Sequence, residues 1–286
     1  MKDRVGLGWR PEISSKILMN LQEIDVVEVI IDNFLNSKSL ETLKFLESQV
    51  EVMYHGVGLG LASSHEVDQT HLTKLAKFLD KMNPKIWSEH LAFVRAGGIE
   101  IGHLAAPPRT DATIDGTLRN IAIVHKTIGS MPHLENIATL IAPPTSSYSE
   151  PTWTKQIIKN SGARVLLDLH NLYANAINQG LDPIQFMFQF PLESVDIIHL
   201  SGGKWIEHQF NNGIQNTSEH SKRRLLDDHL HSVPNDIFWM LELFATFTNQ
   251  PVTVIIERDG NYPKFEVLLN EISQARECLK RGRLQN

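Results

Sequence analysis

The chain has almost no cysteine. Only one of its 286 residues, Cys278, carries a thiol. That excludes an internal disulfide and any cysteine-rich zinc site. Excess positive charge is also missing. Its 27 Lys and Arg against 33 Asp and Glu leave a net charge of −6. A chain so balanced has no general electrostatic reason to seek nucleic acid or an anionic membrane. No stretch approaches the ~18 apolar residues of a membrane span. Met1-Lys2-Asp3-Arg4 is not followed by the apolar segment of a signal peptide, so the cytoplasm is the expected location. Linkers and low-complexity tracts are lacking as well. The richest breaker cluster, Ala142-Pro143-Pro144-Thr145-Ser146-Ser147, is of loop length. The expectation is one domain over residues 1–286.

What the chain does have is histidine, thirteen in all. Without thiolates, any metal must be held by His, Asp, Glu and Asn, a donor set that suits iron, manganese or zinc.

Short β-branched, apolar runs recur at wide intervals. They are Val5–Trp9, Val26–Asp32, Val50–Val57, Ile86–Phe93, His133–Ile137, Arg164–His170, Val195–Leu200 and Val252–Arg258. Several are continuous rather than alternating, as parallel strands covered on both faces should be. Helical spacing appears between them over His71–Lys81, Asp115–Ile128, Pro234–Phe247 and Pro263–Leu279. Pro234 and Pro263 are expected at the first helical position. Alternating strands and helices in a chain of this length predict an α/β fold, a (β/α)8 TIM barrel. An open doubly wound sheet is the alternative. His55-Gly56-Val57-Gly58-Leu59-Gly60 lacks the G-x-G-x-x-G spacing of dinucleotide binding.

Polar residues gather where the strand runs end. Asp32-Asn33, His55, Ser88-Glu89-His90, Glu135-Asn136, Asp168 to Asn171, His199 and Glu257-Arg258-Asp259 belong to seven of the eight runs. In a barrel those ends converge on one mouth, where active sites are built. Buried together, so many carboxylates would repel one another, and cations would turn that repulsion into binding energy.

Each residue also has a structural reading. His55 beside a glycine can be a satisfied packing histidine. Glu89 and His90 are adjacent on a strand, so only one can face the barrel interior. Asp168 and Asn171 can form an Asx turn that caps a helix. His199 can be a core histidine, and Glu257-Arg258 a buried ion pair. Asp227-Asp228-His229-Leu230-His231 can be an N-cap and a solvated loop; if extended, Asp227 and His229 share a face. His65, His71, His103, His125, His133, His208 and His220 lack strand-end context and are read as surface or packing residues. Phe186–Phe190 reads as a buried helical turn rather than a partner groove. Lys222-Arg223-Arg224-Leu225-Leu226 reads as a solvated loop rather than a site for an acidic partner.

Taken in order, the motifs resemble those of the multinuclear non-haem iron-dependent oxidative enzymes. They are Val5-Gly6-Leu7-Gly8-Trp9-Arg10, Val26–Phe34 with Asp32-Asn33, His55-Gly56-Val57-Gly58-Leu59, Ser88-Glu89-His90-Leu91 and Leu134-Glu135-Asn136. Leu167-Asp168-Leu169-His170-Asn171, Ile198-His199-Leu200-Ser201-Gly202, Asp227-Asp228-His229 before Val233-Pro234, and Ile256-Glu257-Arg258-Asp259 follow. The Ile31-Asp32-Asn33-Phe34 variant is similar to the methanobactin-forming branch. The resemblance covers nearly the whole chain. It implies a TIM barrel holding two or three iron ions in mixed Fe(II)/Fe(III) states. The implied chemistry is dioxygen-dependent oxidation of cysteine in a ribosomally made precursor peptide, which a separate partner protein helps present. The implied metal ligands are His55, His90, Glu135, Asp168, Asn171, His199, Asp227, His229 and Glu257, with Glu135 and Asn171 between ions. Asp32, Glu89 and Arg258 would orient them around the reacting centre. Two departures stand out: Asn178-Gln179-Gly180 where many relatives have Asn-His-Gly, and His170 where Asn is common. The product is left open among oxazolone and thioamide formation, β-carbon excision, and thiazole or related chemistry. Two other functions remain open: a redox-neutral divalent-metal barrel enzyme of sugar isomerase or endonuclease type, and a non-catalytic metal-containing protein that delivers a peptide.

Overall fold

The structure, a computed structural model, describes residues 2–37, 39–96, 98–207 and 223–286. Eight parallel strands close into a barrel. In chain order they are β1 (Arg4–Gly8), β2 (Val26–Ile30), β3 (Glu51–Gly56), β4 (Trp87–His90), β7 (His133–Glu135), β8 (Val165–Asp168), β9 (Val195–Leu200) and β12 (Thr253–Ile256). β1 pairs with β12 to shut the ring, Gly6 standing opposite Ile255. Only a glycine suits position 6, because a Cβ there would run into the Val26 carbonyl of β2. Helices α1 (Ser14–Met19), α2 (Glu41–Gln49), α3 (Gln69–Met82), α4 (Asp111–Ile128), α5 (Glu150–Ser161), α6 (Leu169–Asn178), α7 (Pro183–Met187), α8 (Asn235–Phe247) and α9 (Phe265–Arg283) complete the crossovers. No helix among the described residues is long and apolar enough to cross a membrane.

All eight expected strand runs lie in the barrel, mostly with shorter ends. The run expected to reach His170 stops at Asp168, because the Asp168 side chain accepts the Asn171 N–H and starts α6. The run expected to reach Asp32 gives way to a 3-10 turn over Ile31–Asn33. Pro234 is the N-cap of α8, and Pro263 precedes the Lys264 N-cap of α9, so neither holds the first helical position. Two antiparallel hairpins lie outside the sequence expectation. β5 (Phe93–Ala96) pairs with β6 (Ile99–Ala105) beyond β4, and β10 (Gly203–Glu207) pairs with β11 (Arg223–Asp227) beyond β9. Phe186 and Met187 are buried at the end of α7, and Phe190 is buried just beyond it, as a packed helical turn requires. Arg223 and Arg224 belong to β11 rather than a loop. Lys222, His208 and His220 lie outside the described residues.

The barrel has two separate cores. The large one lies between strands and helices. The small one fills the inside of the barrel and consists of Val26, Met53, Leu166, Ile197 and Ile255, with Ile86 against them. Side chains two apart on a strand share a face. The residues two positions beyond this plug therefore also point into the barrel, nearer its carboxyl-terminal mouth.

Candidate metal centre

Those positions are polar. Val26 is followed two residues on by Glu28, Met53 by His55, Leu166 by Asp168, Ile197 by His199 and Ile255 by Glu257; Ile86 leads through Ser88 to His90. Glu135 joins them from the end of β7. The apolar plug thus becomes a layer of histidines and carboxylates within one turn of the pleat.

The donors fall into two groups that share one residue. His55, His90 and Glu135 form the first; Glu135, Asp168, His199 and Glu257 form the second, and within each the ligand atoms lie within 4.8 Å of one another. Glu135 Oε2 is 3.3 Å from both His55 Nε2 and His90 Nε2, and its Oε1 is 3.3 Å from His199 Nδ1. Glu257 Oε2 stands 3.1 Å from His199 Nδ1 and 3.6 Å from His229 Nδ1. Ligands bonded to one ion at about 2.1 Å lie roughly 3.0–3.4 Å from each other. Most of the measured separations fall in or near that range. Asp168 Oδ2 and Asn171 Oδ1 are buried with no hydrogen-bond partner among the described residues. Such orphaned acceptors are rare unless something else meets them. The donor set fits a metal centre of more than one ion, with hard oxygens and imidazoles and no thiolate.

The electrostatics agree with that fit. Burial lowers the His199 pKa, but Glu257, Glu28 and Glu135 outweigh it and hold it well above its ordinary value. His229 is raised in the same way, against burial, by Glu257, Asp227 and Asp259. Burial pushes the Asp168 carboxyl up, and neighbouring Asp227 and Glu135 push it further. His90 goes the other way: burial, aided by His55 and His199, brings it down to about 4. Without an ion, some of these groups must hold protons to coexist; a cation would take that place.

Each remaining expected site residue has a defined place. Asn171 donates through Nδ2 to the Asn136 carbonyl at 3.0 Å, which directs its free oxygen away from that contact. Asp227 is tied to His170 Nδ1 at 2.7 Å, accepts from Ser201 Oγ at 3.1 Å and meets His229 Nε2 at 2.8 Å. The extended arrangement, one of the two readings of this segment, is not found. β11 ends at Asp227, and His229 adopts a left-handed φ of 54° that turns its ring back toward Asp227. Asp228 instead bonds the Leu230 N–H and His231 Nδ1.

Asp32, Glu89 and Arg258 lie around the cluster rather than in it. Glu89 is fully buried and accepts from the Leu59 and His90 N–H groups. Its side chain leaves the strand on the face opposite His90, as alternation requires, with Oε1 still 3.9 Å from His90 Nδ1. Asp32 accepts from the Val57 N–H at 2.8 Å and faces His71 Nε2 at 3.4 Å. Arg258 donates to the Leu230 carbonyl and Ser232 Oγ, holding the segment that carries His229.

Several residues at the site were given no role by the sequence reading. Ser88 Oγ is 2.8 Å from His55 Nδ1. Arg10 is buried and pairs with Asp259 at 2.6 Å, and Asp259 Oδ2 lies 3.3 Å from His229 Nδ1. Glu28 Oε2 is 2.9 Å from His199 Nε2. The signal for Glu28 was present: a single carboxylate interrupts Val26-Val27-Glu28-Val29-Ile30.

A closed parallel barrel with a buried histidine–carboxylate layer at the carboxyl ends of its strands defines a TIM barrel with a candidate metal centre. More narrowly, the chain belongs to the family described as RiPP precursor modification enzyme MbnB/TglH/ChrH, whose sequence profile matches residues 4–280. It is 32% identical to a UPF0276 protein of Streptomyces avermitilis over 97% of this chain and 55% of that protein, so it spans about half the length of that relative. A UPF0276 protein of Acaryochloris marina is 29% identical over 98% of this chain and 96% of its own length. Among solved structures, an L-ribulose 3-epimerase superposes with a TM-score of 0.58 at 10% identity, over 99% of this chain and 96% of that one. Endonuclease IV from Thermus thermophilus gives 0.56 at 12% identity, over 99% and 100%. These two likenesses establish the barrel fold alone.

Proposed function

We propose that the protein is a single-domain, cytoplasmic, iron- and dioxygen-dependent oxidase that modifies cysteine in a ribosomally synthesised precursor peptide presented by a partner protein. The observation that carries this reading is the pair of donor groups sharing Glu135, on a chain of the RiPP-modifying family.

His55, His90, Glu135, Asp168, Asn171, His199, Asp227, His229 and Glu257 would hold two or three iron ions. Bound iron would supply affinity for the cysteine thiolate and electron transfer to dioxygen. The chain's residues do the rest. Glu135 presents one oxygen to each donor group. Arg10 offsets the negative charge of Glu257 and Asp259. The plug of Val26, Met53, Leu166, Ile197 and Ile255 closes the barrel from below, so peptide enters from the loop side. There the two hairpins rise from β4 and β9 beside the mouth.

The test is metal analysis of freshly purified protein, followed by dioxygen uptake with a Cys-bearing precursor peptide and its Cys→Ser form. Iron, and uptake that depends on the thiol, are expected. Glu135→Ala and His199→Ala should lose iron while the barrel still folds. Zinc or manganese alone, without dioxygen uptake, would favour a redox-neutral enzyme. Peptide binding without uptake would favour a delivery protein.

A further inference from the structure

Glu28 is a carboxylate in the middle of an apolar strand, wholly buried inside the barrel. Such a charge is strongly unfavourable there unless it is paired. Its Oε2 lies 2.9 Å from His199 Nε2. The other ring nitrogen, Nδ1, faces the donor cluster, 3.1 Å from Glu257 and 3.3 Å from Glu135. A neutral imidazole has one N–H and one lone pair. A carboxylate behind Nε2 keeps the N–H there and directs the lone pair at Nδ1 into the cluster. His55 is arranged the opposite way: Ser88 Oγ sits behind Nδ1, and Nε2 faces Glu135. The two rings thus offer different nitrogens to one centre, each selected by the group behind it.

We infer that Glu28 is a positioning residue that fixes the ring of His199, so that Nδ1 is the nitrogen offered to a metal ion. This rests on the metal-centre reading above. Glu28 adds negative charge to the ring from behind, which makes Nδ1 a stronger donor. Its place in the polar layer, two residues beyond Val26 of the plug and level with His199, is accounted for by that role.

Cobalt(II) titrated into metal-free protein, followed by the visible absorption of the bound ion, tests the inference. Wild type should bind. Glu28→Ala should bind about 10- to 100-fold more weakly, with an altered absorption band. Glu28→Gln, which keeps an acceptor of the same shape without the charge, should recover part of that affinity. Thermal melts of the metal-free variants separate this from a folding role, since lost packing lowers the melting temperature without changing the band of cobalt that does bind. If Glu28→Ala does not fold, the isosteric Gln variant decides alone. Wild-type affinity and band in the folded variants would overturn the role of Glu28. Failure of wild type to bind cobalt would overturn the metal reading, and this inference with it.

Discussion

Asp168 and Asn171 share one interaction that serves two purposes. Asp168 Oδ1 accepts the Asn171 N–H at 2.6 Å and caps α6, while Asp168 Oδ2 and Asn171 Oδ1 remain buried and unpartnered among the described residues. The helix cap and a ligand role are thus compatible: one oxygen caps the helix and the other is left for an ion. Asn is as good an N-cap as Asp. Asp168→Asn should therefore keep the melting temperature of the metal-free protein at or above wild type, because a crowded buried carboxyl is gone, yet lose bound metal. Asp168→Ala should lose both, with about 1 kcal/mol of destabilisation from the missing cap. Melting curves beside metal analysis check this; full metal content in Asp168→Asn would remove Asp168 from the ligand set.

His229 is held in a backbone conformation unfavourable to it. Its N–H bonds the Gly202 carbonyl at 3.0 Å and its carbonyl accepts the Asp259 N–H at 2.9 Å, locking φ at 54°. Such a conformation costs a non-glycine residue about 1–2 kcal/mol. Strain of this kind persists where the side chain is needed. Glycine relieves it and alanine does not, and neither brings an imidazole. His229→Gly should thus be about 1 kcal/mol more stable than His229→Ala, with metal binding weakened equally in both. Denaturant melts and metal titration of the two variants read this out; equal stabilities would mean the backbone is unstrained.

The barrel was legible because its strands repeat one pattern, an apolar run ending in a polar residue. Val165-Leu166-Leu167-Asp168 carries it openly, Val195 to Leu200 less so, with Asp196 inside the run and His199 one short of its end, and both lie in the closed ring. Hairpins β5–β6 and β10–β11 were not legible, since they are local excursions whose exposed strands bury little surface. The donors at strand ends were legible for the same reason as the strands. The residues behind them were not. Glu28 stands out in its own strand but its partner does not: Ser88 and Glu28 act through rings contributed by other strands, and the barrel closure that sets β9 across from β2, with β12 and β1 between them, is absent from any local pattern. Arg10 and Asp259 meet across 249 residues of sequence.

Leu166 lies directly beneath Asp168 on β8, wholly buried in the internal plug. No helix can move in to fill a gap there, because barrel strands surround it on every side. Leu166→Ala should cost about 2–5 kcal/mol, the range for a leucine that leaves a lasting cavity. Urea denaturation measures it. A loss near the bottom of that range would mean that Met53 or Ile197 relaxes inward, and metal affinity should then fall as the layer above sags.

At the far end of the barrel, Asp196 joins three strand regions. It accepts from Arg164 Nε at 2.9 Å and Nη2 at 2.6 Å, and lies 3.0 Å from His133 Nε2. Burial pushes its carboxyl up, but Arg164 and His133 outweigh that and hold it well below its ordinary value. A carboxyl lowered on folding stabilises the native state at pH above its unfolded value of about 3.9. That contribution disappears as the pH falls through the lower native value. The group is about a third exposed, so solvent screens it and the pairing is worth about 1 kcal/mol. Asp196→Asn should consequently melt about 2 °C below wild type at neutral pH, and the gap should close as both are acidified toward pH about 2. Calorimetry of both proteins across that range decides the matter. A gap that stays constant into acid would assign the effect to lost hydrogen-bond geometry instead of charge.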